Sequence, residues 1–505
     1  MNPQQSSSPT PSRSDSAVRG LWTVFARSVR DNAIAEVTVQ ILRFGGLIVL
    51  ARCLTPGDFG LFRILLVAAA LAMLVNESGI PDALVQRQLL TSDHTCTAWF
   101  LSCALATASS AALFFAAPAI ASIMKMPRLD TALRLLCAPI FLEGTAVTAN
   151  ALLRRGFRFG VLAVADVAAE AGFLAVALGV LWEGHPRLSL IAGLSARFTF
   201  HAGTIWIAHP FFPDRLPRMD AARDLARFSS AVAGSRLIYT LSSNADFLLV
   251  GRLLGSAALG YYSMAWDLLR FIPDRLYRVA GRVTLPAFCR LQDDTLHLQK
   301  AYRNFFGYLC RIVVPVVGCA AIAAPELIGF LYGSKWIPVA TPLRLLAPGL
   351  ILMGLRCGIG SVYYAKDRPS FDIYLHSARL VLIVIVVASA AQFGLNAVSI
   401  GMSAVEGTVS IAGQWMACAL LGLGIVDLVQ DSVPGVTLAL LCALSTIPGK
   451  LIPAALTMNR ASALALIAVP AALVFIWREA GNATDIVRKA FAPIATQTDF
   501  SEERA

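Results

Sequence analysis

Arg43, Arg63, Arg236, Arg270, Arg356 and Arg379 are among the arginines that lie inside long apolar stretches of this chain. An arginine at the centre of a bilayer costs about 2.5–3.5 kcal/mol on insertion scales, so each marks a functional site, an ion pair or a helix end. The planar guanidinium stays charged and grips an oxyanion with two parallel hydrogen bonds. Two chemistries compete: anion binding in a polar cavity, and a side chain that snorkels to the interface. Arg43 sits mid-run and reads as a cavity residue, with Arg236, Arg270, Arg356 and Arg379 as further candidates. Arg63, Arg197 and Arg344 fit snorkelling at least as well.

Carboxylates lie in the same runs. Glu77 falls in "NESGIPD", Asp246 in "SSNADF" with Asn244 beside it, and Asp267 three residues before Arg270. Spacing of three places Asp267 and Arg270 on one helix face. Glu143, Asp166, Glu170 and Glu406 are also flanked by apolar residues. A buried carboxylate can titrate near neutrality. Glu77, Asp246 and Asp267 are therefore either ion-coupling sites for a proton or sodium, or partners that neutralise an arginine or lock two halves together. Tyr239, Tyr261, Tyr262, Trp266, Tyr363 and Tyr364 offer aromatic platforms and hydroxyls. An interfacial aromatic belt is the competing reading, above all for Tyr261 and Tyr262.

The elements that must carry these residues are membrane spans. Only 14% of the 505 residues are charged and 57% are hydrophobic, against roughly 25% charged in a soluble domain. A spanning helix needs about 20 mostly apolar residues. Fourteen windows qualify: 32–52, 58–76, 95–117, 131–152, 162–182, 189–209, 230–250, 258–280, 303–323, 342–363, 374–393, 396–420, 434–456 and 460–477. The expected fold class is thus an all-α polytopic membrane protein. The net charge of +11 reads as positive-inside topology, not nucleic-acid binding. Arg154, Arg155, Arg158, Arg215, Arg218, Arg223, Arg227, Arg278, Arg282, Arg290, Lys300, Arg303, Lys366 and Arg368 fall in even-numbered connections, and the odd-numbered ones hold far fewer basic residues. That places both termini in the cytoplasm. The Ser/Pro-rich start lacks the apolar core of a signal peptide and reads as a disordered cytoplasmic tail. The connections are short, the largest about twenty residues around 210–229. Any activity resides in the bilayer or at its faces.

The chain also echoes itself. "ARCLTPGDFG" (51–60) returns as "GRLLGSAALG" (251–260), "AAPAIASIM" (116–124) as "AAPELIGFL" (323–331), and "TALRLLCAP" (131–139) as "TPLRLLAPG" (341–349). The order is kept and the offset grows slowly, as in a true repeat. The unit is six helices. An even number makes the copies parallel, related by an axis along the membrane normal. This predicts an N-lobe over 31–209, a linker over 210–229 and a C-lobe over 230–420 around a central cavity. Two further helices over 421–478 and a cytoplasmic tail over 479–505 follow.

Other chemistries lack their motifs. No GxxxxGK[ST] cradles a nucleotide phosphate, and no Ser-His-Asp signature stands in its usual context. The ten cysteines form no CxxC pair and the six histidines no close ligand pair. No metal, cofactor or catalytic residue is expected, and the chain reads as a non-enzyme.

"LARCLTPGDFGLFRILLVAAALAMLVNESGIPDALVQRQ" (50–88) and "SSNADFLLVGRLLGSAALGYYSMAWDLL" (242–269) resemble the bacterial polysaccharide flippases. "LPAFCRLQDD" (285–294) and "APELIGFLYGSKWIPVATPLRLLA" (324–347) resemble them too. These are the lipopolysaccharide and exopolysaccharide exporters of the multidrug/oligosaccharidyl-lipid/polysaccharide flippase superfamily. The resemblance implies the two-lobed fold of the multidrug and toxic compound extrusion (MATE) transporters. It implies a cargo of undecaprenyl-diphosphate-linked oligosaccharide, carried from the cytoplasmic to the periplasmic leaflet of the inner membrane. It implies a polymerase and a chain-length regulator acting downstream. The diphosphate would then be held by Arg43, Arg236, Arg270, Arg356, Arg379 and Asn244. A multidrug exporter of the same fold and a membrane glycosyl polymerase or ligase are the alternatives, with a peptidoglycan lipid II flippase a more distant one.

Overall fold

The computed structural model describes residues 34–446 apart from Gln88, together with Ala472; side chains at 226–233, 272, 279, 280, 282 and 283 lie outside the description. Long Ala/Leu/Val runs have no means of satisfying their backbone in lipid other than by internal hydrogen bonds, so they coil. No strand occurs among the described residues. In chain order the helices are α1 (Ile34–Cys53), α2 (Pro56–Glu77), the short α3 (Ile80–Gln86), α4 (Ser92–Met124), α5 (Arg128–Arg155), α6 (Phe159–Trp182), α7 (Pro186–Ala208) and α8 (Met219–Arg290). They continue with α9 (Thr295–Ile322), α10 (Ala324–Leu331), α11 (Ala340–Leu355), α12 (Ile359–Ala365), α13 (Ser370–Ala390), α14 (Leu395–Leu421) and α15 (Ile425–Ser445).

Eleven segments among the described residues are long and apolar enough to cross a membrane, against the fourteen windows expected. The difference has physical sources. The α7 helix, carrying Arg187, Arg197 and His201, is not one of the eleven, and the two arms of α8 count as one stretch, Gly234–Phe271. The thirteenth window lies nine residues late, because α15 already begins at Ile425. The fourteenth window, 460–477, and both expected tails fall outside the described residues, Ala472 excepted.

Glycines set the breaks that matter. Gly255 (φ 87°, ψ 175°) splits α8 into two arms, matching the two windows 230–250 and 258–280. Gly358 (φ 89°) separates α11 from α12 inside what reads as one span. Only glycine enters that left-handed region without strain.

The described chain forms two compact units. The first takes residues up to Cys53, Ala68–Ile120 and Arg128–Gly234. In it α7 packs on α5 and α6, and α3 packs on α5. The side chains joining α5, α6 and α7 are small: Ala146, Ala149, Ala165 and Ala202, with Leu153 and Ile205. Small residues let membrane helices approach closely without a hydrophobic driving force. The second unit takes Leu54–Val67, Ala121–Pro127 and the residues from Ser235 on. There α11 packs on α9 and α14, α9 on α15, and α13 on α14.

Candidate functional site

In the second unit the later arm of α8, the α11–α12 break and the start of α13 enclose a cavity of about 290 Å³. Each wall has a local cause. Arg270, Asp274 and Arg278 follow at spacing four along α8 and line the cavity with Tyr277. Spacing of three and four keeps such residues on one face. Arg356 caps the C-terminus of α11, where a helix favours a cation. Asp372 and His376, one turn apart on α13, supply a third wall, and Tyr239 a fourth. A broken helix at membrane depth is tolerated where it is buried in protein or lines a polar space.

The cavity's cations differ in how they are held. Arg270 donates from Nε and Nη2 to Asp274 Oδ1 at 3.2 and 3.0 Å. The His376 ring meets Tyr239 edge-on, with centroids 5.0 Å apart, and its Nε2 lies 3.9 Å from Asp372 Oδ1. The half-buried Arg356 makes no side-chain hydrogen bond or ion pair among the described residues. Three arginines stand against two aspartates, a surplus of one positive charge with His376 neutral. An open guanidinium, a second arginine and two tyrosines can hold an oxyanion that bears hydroxylated groups.

The expected residues disperse. Arg270 and Arg356 are brought together in the cavity. Arg236 lies half-buried on the first arm of α8 and does not line it. The Asn244 amide donates to the Thr240 carbonyl one turn back, at 2.8 Å. Arg379 is buried and donates to Glu406 Oε1 from Nε at 2.7 Å, and from Nη1 to Ser242 Oγ at 3.0 Å. Asp246 is fully buried and accepts from the Tyr262 hydroxyl at 2.9 Å. Asp267 does not pair with Arg270. It pairs with Arg63, whose guanidinium also covers the Phe247 ring at 4.4 Å. Glu77 is the half-buried last residue of α2.

Arg43 belongs to a separate cluster in the first unit. It and Arg197 both reach Glu170 Oε1, Arg43 Nε at 3.0 Å and Arg197 Nη2 at 3.1 Å. His201 Nδ1 meets Glu143 Oε1 at 2.6 Å beside them. Arg197 is thus an ion-pair residue, not a snorkelling one.

Of the six aromatics expected as platforms, Tyr239 alone lines the cavity. Tyr363 is buried and donates to the Gly413 carbonyl at 2.9 Å. Sequence reasoning missed Asp274, Tyr277, Asp372 and His376 as site residues and left Arg278 in a connection. The spacing of 270, 274 and 278, and of 372 and 376, was the available signal.

The comparisons with known proteins agree with this architecture. The model of the family described as polysaccharide biosynthesis protein matches residues 49–341, more than half of the chain. The chain is 23% identical over 384 residues to the lipopolysaccharide biosynthesis protein WzxC of Escherichia coli (strain K12), covering 74% of this chain and 77% of that one. Among solved structures, the lipid II flippase MurJ in an inward closed conformation superposes with a TM-score of 0.67 at 14% identity, over 90% of this chain and 99% of that chain. An inward-facing multidrug resistance MATE family transporter of the MOP superfamily gives 0.63 at 16% identity, over 75% and 95%. The expected all-α polytopic, MATE-like fold is borne out.

Proposed function

This chain belongs to the polysaccharide biosynthesis protein family, and on that premise we propose that it is a flippase for lipid-linked oligosaccharides. The cargo is an undecaprenyl-diphosphate-linked repeat unit, moved from the cytoplasmic to the periplasmic leaflet by alternating access. The observation that carries the reading is Arg356, an unpaired guanidinium on a cavity shared with Arg270 and two tyrosines. A diphosphate cannot cross about 30 Å of hydrocarbon bare. The cavity supplies its charge and its donors, while the lipid tail stays in the membrane.

Topology supports the reading. With the basic connections in the cytoplasm, the termini are cytoplasmic and the protein sits in the inner membrane. The cavity residues then fall near the cytoplasmic ends of α8, α11–α12 and α13, where a cargo made in the cytoplasm arrives. A polymerase and a chain-length regulator are the downstream partners, and the protein is a transporter with no catalytic step of its own. The windows over 31–209 and 230–420 are the two moving lobes.

The likeness to a multidrug MATE transporter favours one second reading, export of drugs. The positive surplus of the cavity disfavours cationic drugs. The test is a deletion strain in which lipid-linked repeat units are quantified in each leaflet with a periplasm-restricted glycan-modifying enzyme. Build-up in the cytoplasmic leaflet, relieved by wild type and not by Arg356→Ala, is the expected result. Normal delivery to the periplasmic leaflet with polymer missing overturns it and points to a polymerase. Restored efflux of a cationic dye points to drug export.

A further inference from the structure

Next to the cavity lies a buried group of charges that the proposed cargo site does not use. Asp246 on the first arm of α8 and Glu406 on α14 are both fully buried. Arg379 on α13 serves Glu406 from Nε and Nη2, both at Oε1. Asp246 Oδ2 has the Tyr262 hydroxyl, whereas Asp246 Oδ1, Glu406 Oε2 and Ser410 Oγ have no hydrogen-bond partner among the described residues. One guanidinium therefore faces two carboxylates.

Cavity and group are wired together. Arg379 Nη1 donates to Ser242 Oγ at 3.0 Å, and that oxygen lies 3.4 Å from His376 Nδ1, on a ring that lines the cavity. Ser242 stands one turn before Asp246. The charged and titratable groups around Asp246 are Tyr262 from the later arm of α8, Arg379 from α13 and Glu406 from α14. Around Glu406 in turn stand Arg379, Arg356 and Arg270, and around His376 also Asp372. Taken with the cavity, four arginines (270, 278, 356, 379) balance four carboxylates (246, 274, 372, 406). With Asp246 ionised and His376 neutral, these eight groups sum to no net charge.

An oxyanion entering the cavity upsets that balance in a buried place, where unpaired charge is costly and a titratable group neutralises instead. Glu406 is tied to Arg379. Asp246 has no guanidinium of its own and one bare oxygen. We infer that Asp246 is an exchangeable proton site linked to the cavity, taking up a proton when an anion binds there. A proton needs a single oxygen. A metal cation asks for several at once and would sit beside the Arg379 guanidinium. This assignment rests on the flippase reading only for the identity of the anion.

The test uses the purified full-length protein in detergent and inorganic diphosphate as probe. Binding is followed by calorimetry in buffers of different ionisation enthalpy, and the carboxylic-acid carbonyl stretch is followed by infrared difference spectroscopy. Wild type should take up protons on binding, and its affinity should tighten towards tenfold per unit fall in pH, as one linked proton requires. Asp246→Asn should lose the proton uptake and the carbonyl band while still binding. Uptake that survives in Asp246→Asn and vanishes in His376→Asn overturns the assignment, as does binding that depends on Na+ and not on pH. Should diphosphate fail to bind wild type, the cargo reading falls. The pH titration of the wild-type carbonyl band then still decides the proton site, and its absence at every pH overturns it. Should Asp246→Asn fail to fold, that wild-type band with aspartate isotopically labelled decides.

Discussion

Gly60 and Gly260 make reciprocal contacts: a Cβ on Gly60 would lie 1.8 Å from the Ser256 carbonyl oxygen, and one on Gly260 would lie 1.9 Å from the Pro56 carbonyl oxygen. These are the matched positions of the two sequence copies, so each copy presses its glycine on the other's helix start. The obstacle is backbone on both sides and cannot swing away. Gly60→Ala and Gly260→Ala should each destabilise the protein by about 1–3 kcal/mol, the usual cost of overpacking. Either substitution separates both contacts, so the double variant should cost less than the sum of the singles. Gly45→Ala, with open space at its Cβ, is the control. Thermal unfolding in detergent reads all four, and an additive double variant would show that the two contacts are independent.

If Arg356 holds the proposed cargo, its loss should tell on binding more than on the fold, because it makes no side-chain hydrogen bond or ion pair among the described residues. Losing a hydrogen bond to a charged group costs about 1.5–3 kcal/mol, so Arg356→Ala should weaken diphosphate binding by about 10- to 150-fold with little change in melting temperature. Arg356→Lys should recover only part of it, since an ammonium lacks the fork. Arg270→Ala should cost binding and also stability, as it strands Asp274. Equal losses of melting temperature in both variants would count against this division.

Arg379 has the opposite character. It holds a fully buried carboxylate, and removing one partner of a buried pair costs about 3–5 kcal/mol. Arg379→Met should be severely destabilised. Arg379→Met combined with Glu406→Leu should regain most of the loss, because the stranded charge is gone. Failure of the double variant to recover, read by unfolding in detergent, would show that Arg379 acts mainly through Ser242.

How much of this was legible in the sequence depends on distance along the chain. The apolar runs announced α1, α2, α4–α9, α11, α13 and α14, because a spanning helix is a local property. Arg270 and Arg356 stood out because a lone arginine in such a run is costly. Arg43 stood out for the same reason, yet its carboxylate, Glu170, is 127 residues away, and no local pattern joins them. Gly358 carried no mark that distinguishes a break from the many glycines that stay helical. Asp267 pointed to Arg270 by spacing, and tertiary packing gave it Arg63 instead. Local rules find the cost of a charge, and only the fold says which partner meets it.

The N-cap of α9 offers a test outside the spans. Asp294 accepts from the His297 backbone N–H at 3.1 Å and meets the His297 ring at 2.6 Å. The backbone N–H first, then the ring, hold the Asp294 carboxyl below the usual carboxylate range. A depressed folded value means the cap is fully in force above the unfolded value of about 3.9 and is lost as pH falls through the lower folded one. The first turn of α9 should therefore keep its amide protection at neutral pH and lose it progressively below about pH 4. Asp294→Asn, which still caps but cannot titrate, should flatten that dependence, and Asp294→Ala should lower protection at every pH. Hydrogen exchange of the α9 amides, corrected for intrinsic rates, measures this. An unchanged acid response in Asp294→Asn would assign the titration to another group.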